Sequence, residues 1–224
     1  MGSQSSPPEK MGDFFDERSG DYDAHMRQAL ASFGAFYGAV AQPIPHTREP
    51  LQILDLGCGT GLELGAILRR APKARITGID LSAGMLAQLR RKHAEHLGQI
   101  LLIQGSYLAM PLTRTTYDYV VSVMTLHHLR PAAKRCLYER IRRALVEGGR
   151  YIEGDYIVPE NGVARAWAEY QEKAVRLEDG GPGRYHVDLP LPMAMQRELL
   201  LQAGFGQVHV LWAEAKSAVY VAGL

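Results

Sequence analysis

Short apolar runs alternate, through the middle of the chain, with stretches whose apolar positions recur every three or four residues. The runs at 52–56, 75–79, 100–104, 117–123 and 150–158 are rich in Ile, Leu, Val and Tyr and have the length of strands, so the pattern predicts five of them. Helical spacing fills 62–70, 82–96 and 131–145 between the runs. Strands alternating with helices predict a parallel sheet, because each crossover helix returns the chain to the same edge and covers a face. Ahead of the first run, Tyr22, Met26, Leu30, Phe33, Phe36, Tyr37 and Val40 follow steps of three and four, predicting one amphipathic helix over 21–41 that ends before Pro43. The Ser- and Pro-rich start, residues 1–12, has little to bury and is expected to be a disordered tail, with one domain over 13–224.

The last third breaks the alternation. Residues 159–178 have helical character, a Gly- and Pro-rich loop follows, and 193–203 predicts another helix ending at Gly204. Two strand-like runs, "QVHVLWA" and "SAVYVAGL", are then joined by only a few residues, which forces antiparallel neighbours. The expected sheet has about seven strands, mostly parallel and closed by an antiparallel C-terminal hairpin. Residues 13–46 and the insertion 159–192 are left to form a small helical cap.

Composition narrows the function classes. With 224 residues, 46% of them hydrophobic, the chain can bury one sizeable core. Lys and Arg number 25 against 24 Asp and Glu, a net charge of +1, which gives no whole-chain electrostatic footprint for nucleic acid. Cys58 and Cys136 lack metal-type spacing, and the expectation is reduced thiols in a cytoplasmic protein. No apolar run approaches the roughly 18 residues that span a bilayer, and the N-terminus lacks the apolar core of a signal peptide.

The stretch "ILDLGCGTGLEL" reads as a strand, a glycine turn at 57, 59 and 61, and the start of a helix. A dinucleotide turn wants Gly-x-Gly-x-x-Gly, but Leu occupies position 62. At the end of the next strand lies Asp80, in "ARITGIDLS". A carboxylate there can accept hydrogen bonds from both hydroxyls of a ribose, whichever adenosine cofactor carries it.

Taken with "GIDLSAGML", "YDYVVSVMTLHHL" and "LVEGGRYIEGD", in this order and at this spacing, the stretch resembles the successive motifs of the class I S-adenosyl-L-methionine-dependent methyltransferases over about 51–158. The resemblance implies a Rossmann-like α/β fold, with helices on both faces of the sheet, and S-adenosyl-L-methionine as cofactor. It implies that Asp55 accepts from the cofactor's amino group and that Gly57 and Gly59 let the backbone approach its methionine portion. Asp80 would hold the ribose, with Leu81 and Met85 against the adenine. Cys58 belongs to this stretch as a small filler side chain, not a nucleophile. Tyr22, in "RSGDYD", would stand near the methionine end, and Met124 at the tip of the fourth strand. In "IQGSYLAMPL" the family's usual acid is replaced by Ser106, whose hydroxyl can still accept from the adenine amino group, while the Tyr107 backbone N–H meets the ring.

A sulfonium methyl is already activated, so catalysis consists mainly of aligning a nucleophile and excluding water, and only a weakly acidic nucleophile needs a base. Of the adjacent His127 and His128, one at most is expected to face the cleft; His128 is the expected base, titrating near the ordinary histidine value of about 6.5. Asp155 and Tyr156 fall at the tip of the fifth strand, where ligands of open α/β sheets bind, and are the other expected catalytic residues. The loop "RYHVDLP" gathers Arg184, Tyr185, His186 and Asp188. A metal site of His128, Asp155, His186 and Asp188 is conceivable by ligand type, but no close-spaced pair supports it, so none is expected. The expected function is methyl transfer to a small-molecule acceptor. The alternatives are modification of tRNA or another RNA, a catalytically silent cofactor-binding module, and another use of the sulfonium cofactor.

Overall fold

The computed structural model describes residues 10–174 and 186–224. Five strands, β1 (Gln52–Leu56), β2 (Arg75–Asp80), β3 (Ile100–Gln104), β4 (Tyr117–Val123) and β5 (Leu145–Tyr156), run parallel. With β6 (Gln207–Glu214) and β7 (Ser217–Gly223) they form a seven-stranded sheet in the order β3-β2-β1-β4-β5-β7-β6. β7 inserts between β5 and β6 and is antiparallel to both, so it alone is reversed. The strand order turns around between β1 and β4, which opens a crevice beyond their C-terminal tips.

Burial follows the strand period of two. Ile53, Val121 and Ile152 enter one core cluster, beneath α3 (Phe33–Ala41), α4 (Leu64–Arg70) and α5 (Ala83–Lys92); their chain neighbours Leu54, Val120 and Tyr151 enter the other. The second cluster is covered by α6 (Pro131–Ala144) and α8 (Met193–Gln202). Here Glu153 is fully satisfied: Oε2 accepts from the hydroxyls of Tyr138 (2.8 Å) and Tyr151 (2.9 Å), and Oε1 accepts from Gln196 Nε2 (2.8 Å). This network ties α6 and α8 to β5.

The predicted helix over 21–41 is two helices, α2 (Tyr22–Ala29) and α3, broken at Ser32, whose φ of 53° is left-handed. Periodicity carried across the break because both helices bury the same apolar side. A further helix, α1 (Met11–Arg18), begins inside the stretch predicted as tail, with Met11 buried. The helix predicted over 82–96 stops at Lys92 and continues as a 3-10 turn, Ala94–Gln99. β5 begins at Leu145, earlier than expected, and Gly148, at φ 75°, lies within it. In the insertion, α7 (Val163–Ala174) is helical as predicted; residues 175–185 lie outside the described residues, among them Arg184 and Tyr185.

The tightest approach of cap to sheet is at Gly154, where a Cβ would stand 2.8 Å from Phe36 Cζ and 2.9 Å from Val40 Cγ2. We expect Gly154→Ala to push α3 off β5 and to lower stability by about 1 to 3 kcal/mol. Urea denaturation of the two proteins checks this, and equal midpoints would show that α3 yields without strain.

Candidate active site

The chain leaves β1 through three glycines at positive φ, Gly57 (69°), Gly59 (48°) and Gly61 (70°). The turn is pinned to the neighbouring strand. Gly57 N and Cys58 N donate to Ile79 O at 2.8 and 3.2 Å, and Gly59 N donates to Asp80 Oδ2 at 2.8 Å. Asp80 Oδ1 accepts from Ser82 N at 2.9 Å, while Ser82 Oγ caps α5 by accepting from Met85 N at 3.0 Å. A Cβ on Gly57 would collide with the Thr125 side chain, so only glycine keeps this cradle open.

Gly57, Asp80, Leu81, Ser106 and Tyr107 line one cavity of about 50 Å³. Ser106 Oγ accepts from Leu108 N at 3.3 Å, and the Tyr107 hydroxyl bonds Thr125 Oγ1 at 3.1 Å. The cavity's outer wall is Met11 and Phe15 of α1. Beside them Asp16 Oδ1 accepts from Ser82 Oγ (2.5 Å) and Gly84 N (2.8 Å), holding α1 on the start of α5. The cavity is narrow and partly open, with α1 as part of its wall. Of the other residues expected at the cofactor, Tyr22 and Met124 line the neighbouring cavity, while Asp55, Gly59, Met85 and the filler Cys58 line neither, Met85 being 2% exposed and Cys58 3%. The Cys58 sulfur instead packs on Gly78, where a Cβ would be only 2.8 Å away.

Asp55 is fully buried and Glu63, which sequence reasoning missed, is 4% exposed. Both Asp55 carboxylate oxygens and Glu63 Oε1 have no donor from the rest of the protein, and the two side chains hydrogen-bond each other, one of them holding the proton. Burial first, then the neighbouring charge of Glu63, pushes Asp55 well above the usual carboxylate range; burial pushes Glu63 up to about 7. Once that proton leaves, a buried carboxylate pair is left to be offset by a cationic group. An acid six residues into the glycine stretch was the one available sequence signal for Glu63.

A second cavity, of about 420 Å³, adjoins the first, sharing Phe15 and His128 as wall. Tyr22, Met124, Tyr156 and both adjacent histidines line it, which corrects the expectation that one histidine at most faces the cleft. The pair sits on a tight 3-10 turn, Leu126–His128, with ring centroids 4.0 Å apart and planes at 52°. One ring presents Nε2 and the other Nδ1 to the same oxygen, Asp188 Oδ1, at 3.7 and 3.2 Å. Met124, just before the turn, is held at φ 50°, and its N–H donates to Gly154 O at 2.8 Å. A left-handed non-glycine residue at a strand tip is strain of the kind that accumulates at functional sites.

Asp155 is 2% exposed and does not line the cavity. Its Oδ1 accepts from His127 Nδ1 at 2.5 Å and from Tyr156 N at 2.8 Å, so it orients His127 rather than meeting a ligand. Burial lowers His127, but the charge and hydrogen bond of Asp155 outweigh it and raise the ring. Burial, then the neighbouring His127, pushes His128 down to about 4, below the ordinary histidine value. Leu189 N donates to His127 O at 2.6 Å, and this contact brings Asp188 and His186 over the pair from some 60 residues away. Tyr156 lies edge-on to His127, with centroids 5.0 Å apart.

A parallel sheet with its cradle and cavities at the switch point defines a nucleoside-cofactor enzyme of the Rossmann-like class. The chain matches a family model described as a methyltransferase domain over residues 53–149. It is 30% identical over 169 residues, 72% of this chain and 70% of the relative, to a carboxy-S-adenosyl-L-methionine synthase of Dichelobacter nodosus. It is 27% identical over 221 residues, 92% of this chain and 98% of the relative, to the demethylmenaquinone methyltransferase of Thermus thermophilus. The solved DhpI-SAM-HEP complex shares the fold, with a TM-score of 0.69 at 20% identity, 94% of each chain being covered. The chain belongs to the class I S-adenosylmethionine-dependent methyltransferases, and S-adenosylmethionine is its cofactor. Among the described residues no helix is long and apolar enough to cross a membrane.

Two outcomes test the cofactor side. Asp80→Ala should weaken S-adenosylmethionine binding by about 2 to 4 kcal/mol, since the carboxylate is removed both from a ribose and from Gly59 N; calorimetric titration with unchanged affinity would reject that assignment. The second concerns pH. Because burial raises Glu63 to about 7, its contribution to stability is present below the ordinary carboxyl value and is lost as pH rises toward 7. A cofactor ammonium would offset the charge that then appears. Stabilisation by S-adenosylhomocysteine in thermal melts should therefore grow between about pH 5 and 8, and Glu63→Gln should flatten the trend. A slope identical in both proteins would place the amino group elsewhere.

Proposed function

We propose that the enzyme transfers the methyl group of S-adenosylmethionine to a small molecule held in the larger cavity. The observation that carries this is the pairing of a glycine and carboxylate cradle with an adjoining cavity of about 420 Å³, which suits a compact acceptor better than a nucleic-acid strand. The near-zero net charge supports the same reading. So do the small molecules in the relatives' names, a demethylmenaquinone and a carboxylated S-adenosylmethionine.

Asp80 holds the ribose, Leu81, Ser106 and Tyr107 flank the adenine, and Gly57 and Gly59 let the backbone close on the methionine portion. Asp55 and Glu63 take its amino group, their oxygens without a donor from the rest of the protein supplying the acceptors. Tyr22 and Met124, which line the larger cavity, stand at the methionine end, and Cys58 and Met85 support the wall from behind. The bound cofactor supplies an electrophilic methyl group. The chain's own task is to exclude water, align the acceptor and activate its nucleophile. The last falls to His127 and His128, with Asp155 as the residue positioning His127 and Tyr156 as a wall of the acceptor space.

Incubation with methyl-labelled cofactor should put label into the low-molecular-mass fraction of a cell extract, with matching release of S-adenosylhomocysteine. Label in the RNA fraction alone, or a product that retains the sulfonium, would reject the proposal. With that acceptor in hand, His128→Asn should slow single-turnover transfer by about 10² to 10⁴ while leaving cofactor affinity unchanged; an unchanged rate would take His128 out of the reaction.

A further inference from the structure

Beyond the cofactor cradle, the acceptor cavity contains an arrangement that methyl transfer alone does not explain. His127, His128 and Asp188 each present one ligand-type atom, and these atoms all lie within 4.8 Å of one another. Asp188 Oδ1 is 3.2 Å from His128 Nδ1 and 3.7 Å from His127 Nε2. Ligands bound at about 2.0 to 2.1 Å around a tetrahedral ion stand about 3.3 Å from each other, so these spacings need only small side-chain adjustments to enclose one.

The tautomers point the same way. Asp155 Oδ1 accepts from His127 Nδ1 at 2.5 Å, so in the neutral ring the Nε2 lone pair faces the carboxylate of Asp188. Either a proton on Nε2 or a cation between the two relieves that repulsion, and both fit the raised His127. The carboxylate–histidine pair behind the site is also the arrangement that fixes metal-binding imidazoles, by orienting the ring and raising its basicity. His128, 4% exposed, has no partner at Nε2, and besides Asp188 its Nδ1 makes only a long contact of 3.4 Å to Val187 O, which an ion at Nδ1 would replace by moving the ring proton to Nε2. The charges close as well: two neutral imidazoles, Asp155 and Asp188 balance a doubly charged ion, and the nearby Lys134 is already engaged by Gln196 Oε1 at 3.0 Å and Glu153 Oε1 at 3.9 Å.

We propose that His127 Nε2, His128 Nδ1 and Asp188 Oδ1 bind one divalent cation of the zinc type, with Asp155 as the supporting carboxylate. Nitrogen ligands beside one carboxylate select such an ion over magnesium or calcium, which take oxygen sets. Three protein ligands leave a coordination position open toward the cavity, as in catalytic rather than structural sites. His186 Nε2, 3.8 Å from the same Asp188 oxygen, stands at the rim. The open position would take a hydroxyl or carboxylate oxygen of the acceptor. That use rests on the function proposed above; the ion itself does not.

The test is titration of untagged, chelator-treated protein with zinc chloride and with cobalt chloride, read by calorimetry and by the visible spectrum of cobalt. One ion per chain is expected, with the absorption of a low-coordinate nitrogen and oxygen site. His127→Ala and Asp188→Asn should each weaken binding at least tenfold, and Asp155→Asn by about 10- to 100-fold. S-adenosylhomocysteine affinity should be unchanged in all three, which separates loss of the site from loss of the fold. Absence of stoichiometric binding, or binding that all three variants retain, overturns the proposal. Binding without label in any small molecule would overturn the function proposed above and leave the metal site standing.

Discussion

The Asp80 carboxylate governs the geometry of the cofactor end. One oxygen accepts from Gly59 N and the other from Ser82 N, so a single side chain fixes the glycine turn after β1 and the first residues before α5. The backbone carbonyl of Ile79 adds Gly57 N and Cys58 N to the same anchor. Two crossover connections are thereby referred to one strand tip. The turn can stay open only because Gly57 has no Cβ to meet Thr125, and Thr125 stands at the tip of β4, on the other side of the switch point. Rigidity at the turn is thus transmitted directly to the segment that carries the histidines.

Buried acids at the sheet's C-terminal end separate into two kinds. Glu153 and Asp155 have donors from the protein: tyrosines and Gln196 for the first, His127 and the Tyr156 amide for the second. These are scaffold, and each fixes another element in place. Asp55 and Glu63 have no such donors for three of their four oxygens. All four are at most 4% exposed, yet only Glu153 has both oxygens paired with donors; Asp155 keeps Oδ2 unpaired, and Asp55 has no donor from the rest of the protein on either oxygen.

The cap completes both cavities from two distant pieces of chain. α1 supplies Phe14 and Phe15, with Phe14 stacked on His186 at 3.5 Å and Phe15 edge-on to His128 at 5.9 Å. Its other attachment, Asp16 on Ser82 and Gly84, is made of hydrogen bonds at a partly exposed rim. Net contributions of such bonds are about 0.5 to 3 kcal/mol each, small enough for a ligand to displace. The cover therefore joins the two cavities, since Phe15 of α1 is a wall of both.

The sequence by itself determined the sheet, the turn and the family, because these rest on local signals. Strand cores alternate two by two, the glycines mark positive φ, and Asp80 falls at a strand end a fixed distance beyond the turn. All three are properties of contiguous residues. The break at Ser32 and the helix at Met11 were not legible, since apolar periodicity reports which side is buried and not whether the backbone is continuous. Glu63 could not be singled out because its meaning lies in the absence of outside donors, which exists only after packing. Likewise His127, the role of Asp155 behind it, and Asp188 above it depend on chain segments about 30 and 60 residues apart meeting at one imidazole ring. Tertiary structure alone decided that both adjacent histidines share a cavity, because a tight turn and two different ring nitrogens let them converge where a helical start would have splayed them apart.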